Sequence, residues 1–296
     1  MKRKILIDCT SGIDDVLALL LLKRLKQLDI VAVTTCFGRG GVKKNYENLR
    51  RIAATLEMNV VVAGGAQKAI IEENENLFSS DEKNNSADRS KKEDINQHTE
   101  NQHAWDLIYD IAIREKGNLE IITLGPLTNL AIALLKHEDL KDCIKSLTIM
   151  GGSAAVGDVT PFGEENVLWD PYAFQVVMQS RIKPIVMVGL NAVENIQLTN
   201  EFLCLLKGKN RYGQIRDEKE SRLVYAAASA AVAAFPELAT MKAYHVDVEL
   251  GRTGQYGRTI VDTRLHTTAE KNVNVVEKID CGRFLDFLKE AEKDYN

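Results

Sequence analysis

The sequence predicts an α/β fold in which a mostly parallel sheet is flanked by helices, a Rossmann-like arrangement in one large domain. Short apolar runs alternate with helical stretches over the first two-thirds of the chain, which is typical of βαβ units. A chain of 296 residues fits one domain of this class. No linker-like stretch separates two cores, so we expect residues 1–296 to fold as one unit.

The first elements follow one another in strict alternation. Strands are predicted where apolar residues run together, and helices where apolar residues recur at helical spacing. The predicted order is strand Lys4–Asp8, helix Asp14–Gln27, strand Ile30–Cys36, helix Lys43–Leu56 and strand Asn59–Ala63. The alternation continues through Leu119–Leu124, Thr128–Lys136, Ser146–Met150, Pro171–Gln179 and Pro184–Val188.

The final third of the chain has a different pattern. Ser221–Ala234 is rich in alanine, the strongest helix former, and predicts a helix. Two segments of alternating character follow at His245–Leu250 and Thr259–Asp262. A last helix is predicted over Gly282–Lys293. We expect these elements to complete the same domain.

A polar segment at about 72–103 interrupts the pattern. Its only large apolar residues are Leu77, Phe78 and Ile95. So little apolar surface cannot offset the entropy of ordering the chain, and we therefore expect a surface loop inserted into the domain. Both a tolerated insertion and a functional lid remain open interpretations of this loop.

Composition narrows the class of partner. The net charge is −4 and no basic block stands out, so nucleic acid is not expected to bind. The apolar runs are too short for a signal peptide or a membrane span, and we expect a cytoplasmic protein that does not contact a membrane. The cysteines are odd in number and lack CxxC spacing, which indicates free thiols in a reducing compartment. They are Cys9, Cys36, Cys143, Cys204 and Cys281.

Three acids surround a glycine turn where the first predicted strand meets the first helix. Asp8, Asp14 and Asp15 flank Gly12 within one short segment. Ligands of α/β sheets bind beyond the carboxyl ends of the strands, which is where this segment lies. Capping of the helix N-terminus accounts for one or two of the acids. A metal or polyol site is the other interpretation, and the local sequence leaves both open.

Further motifs run along the chain in a consistent order. The turn from Asp8 to Asp15 is similar to the signature DxDxGxDD, and Leu124–Asn129 matches the turn LGPLTN. The other matching segments are Thr34–Gly38 with Asn48, Val62–Gly65, Met150–Gly152, Gly157–Pro161, Glu164–Asn166 with Asp170, His245–Leu250 and Gly257–Asp262. Together they resemble the inosine-uridine-preferring nucleoside hydrolase family. The resemblance implies that family's fold and the cleavage of the N-glycosidic bond of purine or pyrimidine ribonucleosides by water.

The resemblance also implies a calcium ion that binds the ribose diol and polarises the attacking water. Such an ion takes six to eight oxygen ligands, with carboxylates supplying most of the charge. Asp15 would be one ligand, and Leu124 would provide its backbone carbonyl. Asp8 would support the turn from behind. These roles come from the resemblance alone.

A ribose site is implied in the same way. Asp14 would bind ribose hydroxyls, while Glu164 and Asn166 would hold the 5′ end of the sugar. Arg39 stands where a ribose-contacting asparagine is usual, and Asp158 replaces the asparagine of the family's GNVTP motif. We expect both of these positions to face the substrate as well.

The departures from the family concentrate in the chemistry. Thr10 stands where the family has the aspartate that is both calcium ligand and general base. Tyr225 and Ala226 align with its His–Asp pair, and Asn191 replaces another aspartate. Losing a positioned general base costs ~10²–10⁴ in rate. Thr10 and Tyr225 are thus the catalytic positions to test, and the ordinary calcium-dependent route is expected to be impaired.

Three functional hypotheses remain open. The chain could hydrolyse a ribosyl bond with a rebuilt site that uses Asp8 or Asp14 as base and Tyr225 as acid. It could bind a nucleoside or ribose without turnover. It could also be a structural, partner-binding protein with a vestigial pocket. The resemblance further implies a homodimer or homotetramer.

Overall fold

A nine-stranded sheet forms the centre of the part of the protein that the computed structural model describes. That part comprises residues 2–38, 41–71, 102–194, 196, 218–251 and 254–293. Strands β1 to β9 are Arg3–Cys9, Leu28–Thr35, Val61–Gly64, Leu119–Thr123, Ile144–Met150, Ile185–Val188, Ala239–Val248, Thr259–Asp262 and Val273–Ile279. Their order across the sheet is β3-β2-β1-β4-β5-β6-β9-β7-β8.

Helices pack on both faces of this sheet. Helices α1 to α10 are Ile13–Arg24, Val42–Thr55, Ala104–Glu115, Thr128–Lys136, Leu140–Cys143, Glu165–Trp169, Pro171–Gln179, Leu190–Val193, Glu218–Ala234 and Cys281–Lys293. A 3-10 turn at Pro236–Leu238 joins α9 to β7. None of the helices in the described ranges is both long and apolar enough to cross a membrane.

The sheet is mostly parallel, as the sequence predicts. Strands β1 to β6 pair only in parallel, and β9 joins β6 in the same sense. Only β7 runs against its neighbours, pairing antiparallel with both β9 and β8. The predicted α/β class and parallel sheet are therefore confirmed.

Strand β1 shows how the core forms on two faces. Ile5 and Ile7 pack with residues of α1, α9 and α10, whereas Leu6 packs with residues of α3 and α4 on the other face. Successive side chains of a strand point to opposite faces, so a central parallel strand is apolar at every position. This is why Ile5-Leu6-Ile7 reads as a continuous apolar run.

Strand β9, helix α3 and the short helices α5, α6 and α8 were not predicted from the sequence, and strand β7 was predicted too short. Strand β9 was missed because Glu277 and Lys278 interrupt its apolar run where its register with β7 shifts. Helix α3 was missed although Ala104, Leu107, Ile108 and Ile111 are buried at helical spacing. Strand β7 begins at Ala239 rather than at the predicted His245, because its first half pairs with β9.

The carboxyl ends of the parallel strands meet at one edge of the sheet. Asp8 is level with Thr34 of β2 and Thr123 of β4, and Met150 and Val188 pair at the ends of β5 and β6. The acidic turn after β1 therefore opens onto the edge where ligands of α/β proteins bind. Residues 72–101 of the predicted loop lie outside the described residues.

Candidate functional site

The turn between β1 and α1 is held together by the carboxylate of Asp15. Its Oδ2 accepts hydrogen bonds from Thr10 N at 2.8 Å, Thr10 Oγ1 at 3.0 Å and Gly12 N at 3.1 Å. A side chain at Gly12 would collide with Asp14, because its Cβ would lie 2.3 Å from Asp14 Oδ1. Ser11 completes the turn in the left-handed region at φ 64°. The Thr10 hydroxyl thus acts as a hydrogen-bond donor to Asp15.

One oxygen of Asp15 is left without a partner. Asp15 is 1% exposed, and its Oδ1 is buried with no hydrogen bond among the described residues. Burial, and after it the charge of neighbouring Asp14, raises the pKa of Asp15 well above its usual range. Asp14 itself is half-buried in the first turn of α1. Of this acidic pair, only Asp14 has a side chain open to solvent.

Asp8 lies at the end of β1, behind the turn, and is hydrogen-bonded to strand β2 and to helix α4. Its Oδ1 accepts from Thr34 Oγ1 at 2.7 Å and from Asn129 Nδ2 at 2.9 Å. Its Oδ2 is buried and has no partner within the described ranges. Burial raises the pKa of Asp8 to about 6, although the hydrogen bonds from Thr34 and Asn129 act the other way. Asp8 therefore links β1 to β2 and α4, and its support of the turn stays a prediction.

Asn166 connects the ends of β4 and β5. Its Nδ2 donates to the backbone oxygen of Leu124 at 3.2 Å and to that of Met150 at 3.0 Å. Two carbonyl acceptors require the amide nitrogen rather than its oxygen at this position. The Leu124 carbonyl, predicted to be a calcium ligand, therefore accepts a hydrogen bond from Asn166.

Glu164 caps the short helix α6 from a buried position. Its Oε2 accepts from Gly152 N at 2.9 Å and Val167 N at 3.1 Å. Burial, followed by the charge of Asp158, raises the pKa of Glu164 to about 7. Asp158 is exposed at this edge, and its Oδ1 accepts from Glu165 N at 2.9 Å. Glu164 and Asp158 thus lie close enough for the charge of Asp158 to act on Glu164, and their contact with a substrate stays a prediction.

Tyr225 reaches the same edge from helix α9. Its hydroxyl donates to the Val188 carbonyl at the end of β6, at 3.0 Å. Burial, and then the charges of Glu164 and Asp158, raise the pKa of Tyr225 well above its usual range. The phenol therefore keeps its proton at neutral pH. The next residue, Ala226, is fully buried in the core and offers no ligand atom.

Sequence reasoning assigned no role to several residues that fix the site. Asn129 donates to Asp8 and accepts from Ala66 N at 2.9 Å, which ties α4 to the segment after β3. Asn45 donates to Cys36 O at 3.1 Å and accepts from the Ser11 hydroxyl at 3.3 Å. The available signal for Asn129 was its place in the motif that follows β4. Of the residues that were predicted, Arg39 lies outside the described residues.

The motif residue Asp170 also has a structural role that the sequence did not reveal. Its Oδ2 accepts from Thr128 Oγ1 at 2.6 Å and Ile70 N at 2.9 Å, while its Oδ1 caps α7 through Ala173 N at 3.0 Å. One buried carboxylate therefore joins α4, α7 and the segment after β3. This network fixes the segments that border the carboxyl edge of the sheet beside Asn129.

The donor set at this edge does not fit a calcium ion, which takes six to eight oxygens. Among the described residues, two buried carboxylate oxygens, Asp8 Oδ2 and Asp15 Oδ1, lack partners. The other predicted ligand positions add little: the Thr10 hydroxyl donates to Asp15, Leu124 O already accepts from an amide, and Ala226 has no ligand atom. Within the described ranges, no group of three or more His, Cys, Asp or Glu side chains could hold a metal ion.

Comparison with known proteins places the chain among the nucleoside hydrolases. A pyrimidine-specific ribonucleoside hydrolase, RihA of Photobacterium profundum, is 31% identical over 314 aligned positions that cover 100% of both chains. RihB of Escherichia coli, also named a pyrimidine-specific ribonucleoside hydrolase, is 30% identical over 69% of this chain and 62% of its own length.

Solved structures share the fold at lower sequence identity. A purine-preferring ribonucleoside hydrolase from Gardnerella vaginalis superposes with a TM-score of 0.78 at 23% identity, over 98% of both chains. The plant nucleoside hydrolase PpNRh1 has a TM-score of 0.79 at 20% identity, over 98% of this chain and 99% of its own. The sequence profile described as inosine-uridine preferring nucleoside hydrolase matches residues 5–286. The chain therefore belongs to the inosine-uridine preferring nucleoside hydrolase family.

Proposed function

We propose that this chain binds the ribose of a ribonucleoside at the carboxyl edge of the sheet and cleaves the N-ribosyl bond with water. Membership of the family supports this reaction class. The observation that carries the proposal is that Asp14, Glu164 and Asn166, from two different strand ends, lie at one edge. A relative that covers the whole chain is named as pyrimidine-specific, so we propose pyrimidine ribonucleosides as the substrate class.

Asp14 is the residue that we propose as general base. Asp8 and Asp15 are buried and held by hydrogen bonds, whereas Asp14 is half-buried in the same turn. In the reaction the water oxygen bonds to the anomeric carbon, the carbon–nitrogen bond breaks toward the leaving base, and the water proton passes to Asp14. Thr10 cannot serve here, because a threonine hydroxyl does not accept a proton near neutral pH.

Tyr225 is the residue that we propose as proton donor to the leaving base. Its phenol is protonated at neutral pH, because burial and the charges of Glu164 and Asp158 raise its pKa. In the free protein this proton is donated to the Val188 carbonyl. Transfer of this proton to the departing nitrogen completes the reaction. The hydroxyl of the water stays on the sugar, and the water proton taken up by Asp14 restores the proton of Tyr225.

The test is release of free ribose from uridine, cytidine and inosine. We expect release from the pyrimidine ribonucleosides, and we expect Asp14→Asn to lower it by about 10²-fold or more, the loss typical of a missing general base. Asp110→Asn, an exposed acid on α3, is the matched control and should leave the rate unchanged. Equal rates in Asp14→Asn and the wild type would exclude Asp14 as the base.

A second candidate function is ribonucleoside binding without turnover. Thr10 in place of the family's base, and Ala226 in place of its calcium-binding aspartate, favour this function. It predicts saturable binding of uridine in a calorimeter, with no ribose formed during long incubation. The third possibility, a partner-binding protein with a vestigial pocket, predicts neither binding nor release.

We also propose a homodimer or homotetramer in a reducing, cytoplasmic compartment. The oligomer follows from the family alone, and light scattering during gel filtration measures it directly. The compartment is supported by the cysteines, since those in the described ranges, Cys9, Cys36, Cys143 and Cys281, are free thiols. A mass equal to one chain would contradict the oligomer.

A further inference from the structure

The carboxamide of Asn166 occupies the space between two backbone carbonyls at the pocket edge. Its nitrogen donates to Leu124 O at 3.2 Å and to Met150 O at 3.0 Å. Both lie at the carboxyl ends of neighbouring parallel strands, β4 and β5. A carbonyl oxygen has two lone pairs, so this amide takes up one acceptor position on each of the two carbonyls. Each carbonyl is thus partly satisfied by an uncharged donor.

Hydrogen-bond donors also surround one oxygen of Asp15, which lies in the turn after β1. Asp15 Oδ2 receives three hydrogen bonds, from Thr10 N, Thr10 Oγ1 and Gly12 N. These three donors satisfy Oδ2 without a cation, whereas Oδ1 has no donor among the described residues. The unpartnered oxygens, Asp15 Oδ1 and Asp8 Oδ2, are two atoms against the six to eight that calcium takes.

We infer that this pocket works without a divalent cation: Thr10 donates a hydrogen bond to Asp15 instead of adding a carboxylate, and Ala226 offers no ligand atom. The inference goes beyond the proposed function, because it holds whether a ribonucleoside is cleaved or only bound. Its tests therefore measure metal binding and stability, and a failure of the proposed hydrolysis leaves them unaffected.

The direct test is calorimetric titration of the metal-free protein with calcium, beside thermal unfolding in calcium or EDTA. We expect no binding heat up to about 1 mM calcium, above the dissociation constants of most dedicated sites, and the same unfolding temperature in both buffers. Asp15→Asn should likewise give no binding heat, and its unfolding temperature should be the same in calcium and in EDTA. Binding at micromolar concentration that Asp15→Asn abolishes would overturn the inference.

An isosteric substitution tests the role of the amide itself. Asn166→Asp places a carboxylate against the two carbonyls, so that acceptors face acceptors with no donor between them. We expect a lower unfolding temperature in EDTA, and a rise of roughly 5 °C when calcium exceeds its Kd about 100-fold, since a bound ion then bridges the oxygens. The wild type should show no such rise.

Asn272→Asp is the matched control for this substitution. Asn272 also bridges two carbonyls with its amide, Met178 O at 3.2 Å and Val246 O at 2.9 Å, but it precedes β9 at the opposite edge of the sheet. We expect it to lose stability without recovery in calcium. Calcium rescue of both variants, or of neither, would overturn the inference that missing carboxylate ligands keep the ion from this edge.

Discussion

At the scale of single residues, the pocket contains buried acids that pair with no lysine or arginine among the described residues. Asp8, Asp15 and Glu164 are each at most 2% exposed, and each is stabilised by uncharged donors rather than by lysine or arginine. Burial is the largest cause of the raised pKa in all three cases. Such a set favours the protonated form and is typical of functional sites rather than of stabilising ion pairs.

The raised pKa of Glu164 makes the stability of the protein depend on pH. Its pKa rises from the ordinary value of 4.5 in the unfolded chain to about 7 in the folded protein, so the folded state holds the extra proton between these values. The contribution of Glu164 to the free energy of unfolding is therefore fully present below pH 4.5 and is lost as the pH rises through 7. The shift corresponds to roughly 3 kcal/mol.

We expect Glu164→Gln to remove that part of the pH dependence. Glutamine keeps an oxygen that can accept from Gly152 and Val167, but it has no charge to desolvate. Urea unfolding at pH 5 and pH 8 measures the effect, with Glu194→Gln as an exposed control. The wild type should lose roughly 3 kcal/mol more than Glu164→Gln over this range. Equal losses would show that Glu164 ionises normally.

At the scale of elements, Arg3 joins the start of β1 to the end of α9. Its guanidinium donates to the carbonyls of Ala233 and Ala234, each at 2.6 Å, and pairs with Glu120 Oε2 at 2.6 Å. Free carbonyls at a helix C-terminus attract cations, and the bidentate geometry suits arginine. Lys145 also contacts Glu120, at 2.9 Å. One side chain therefore fixes the alanine-rich helix against the sheet.

Arg3→Ala should destabilise the protein by about 2 kcal/mol, because it leaves Glu120 with one partner and two helix carbonyls with none. The neighbouring Lys4→Ala is the control: Lys4 pairs with Asp29 at the surface, and exposed pairs contribute little. Equilibrium unfolding in urea compares the two variants. A loss in Lys4→Ala as large as that in Arg3→Ala would contradict this assignment.

The same scale shows what local sequence could predict. Helices α4 and α7 match their predicted bounds because the apolar spacing, a proline at the start of α7 and a lysine at the end of α4 all agree. Strand β9 could not be recognised in this way, since Glu277 and Lys278 break its alternation. Its place between β6 and β7 depends on pairing across the sheet, which no local pattern encodes.

At the scale of the whole molecule, the sheet order decides which residues share the pocket. The sequence predicts the acids of the β1 turn because they are adjacent in the chain. It did not reveal Thr34 and Asn129 as partners of Asp8, because they are 26 and 121 residues away. The same is true of Asn166, whose contact with Leu124 spans 42 residues.

The measurement that tests the account most directly is calorimetric titration of the protein with uridine in EDTA. We expect saturable binding at one site per chain, with the same affinity when EDTA is replaced by calcium, and weaker binding in Asp14→Asn. This result would place ribonucleoside recognition in a pocket that works without a divalent cation. Binding that is absent in EDTA and appears only with calcium would contradict the account.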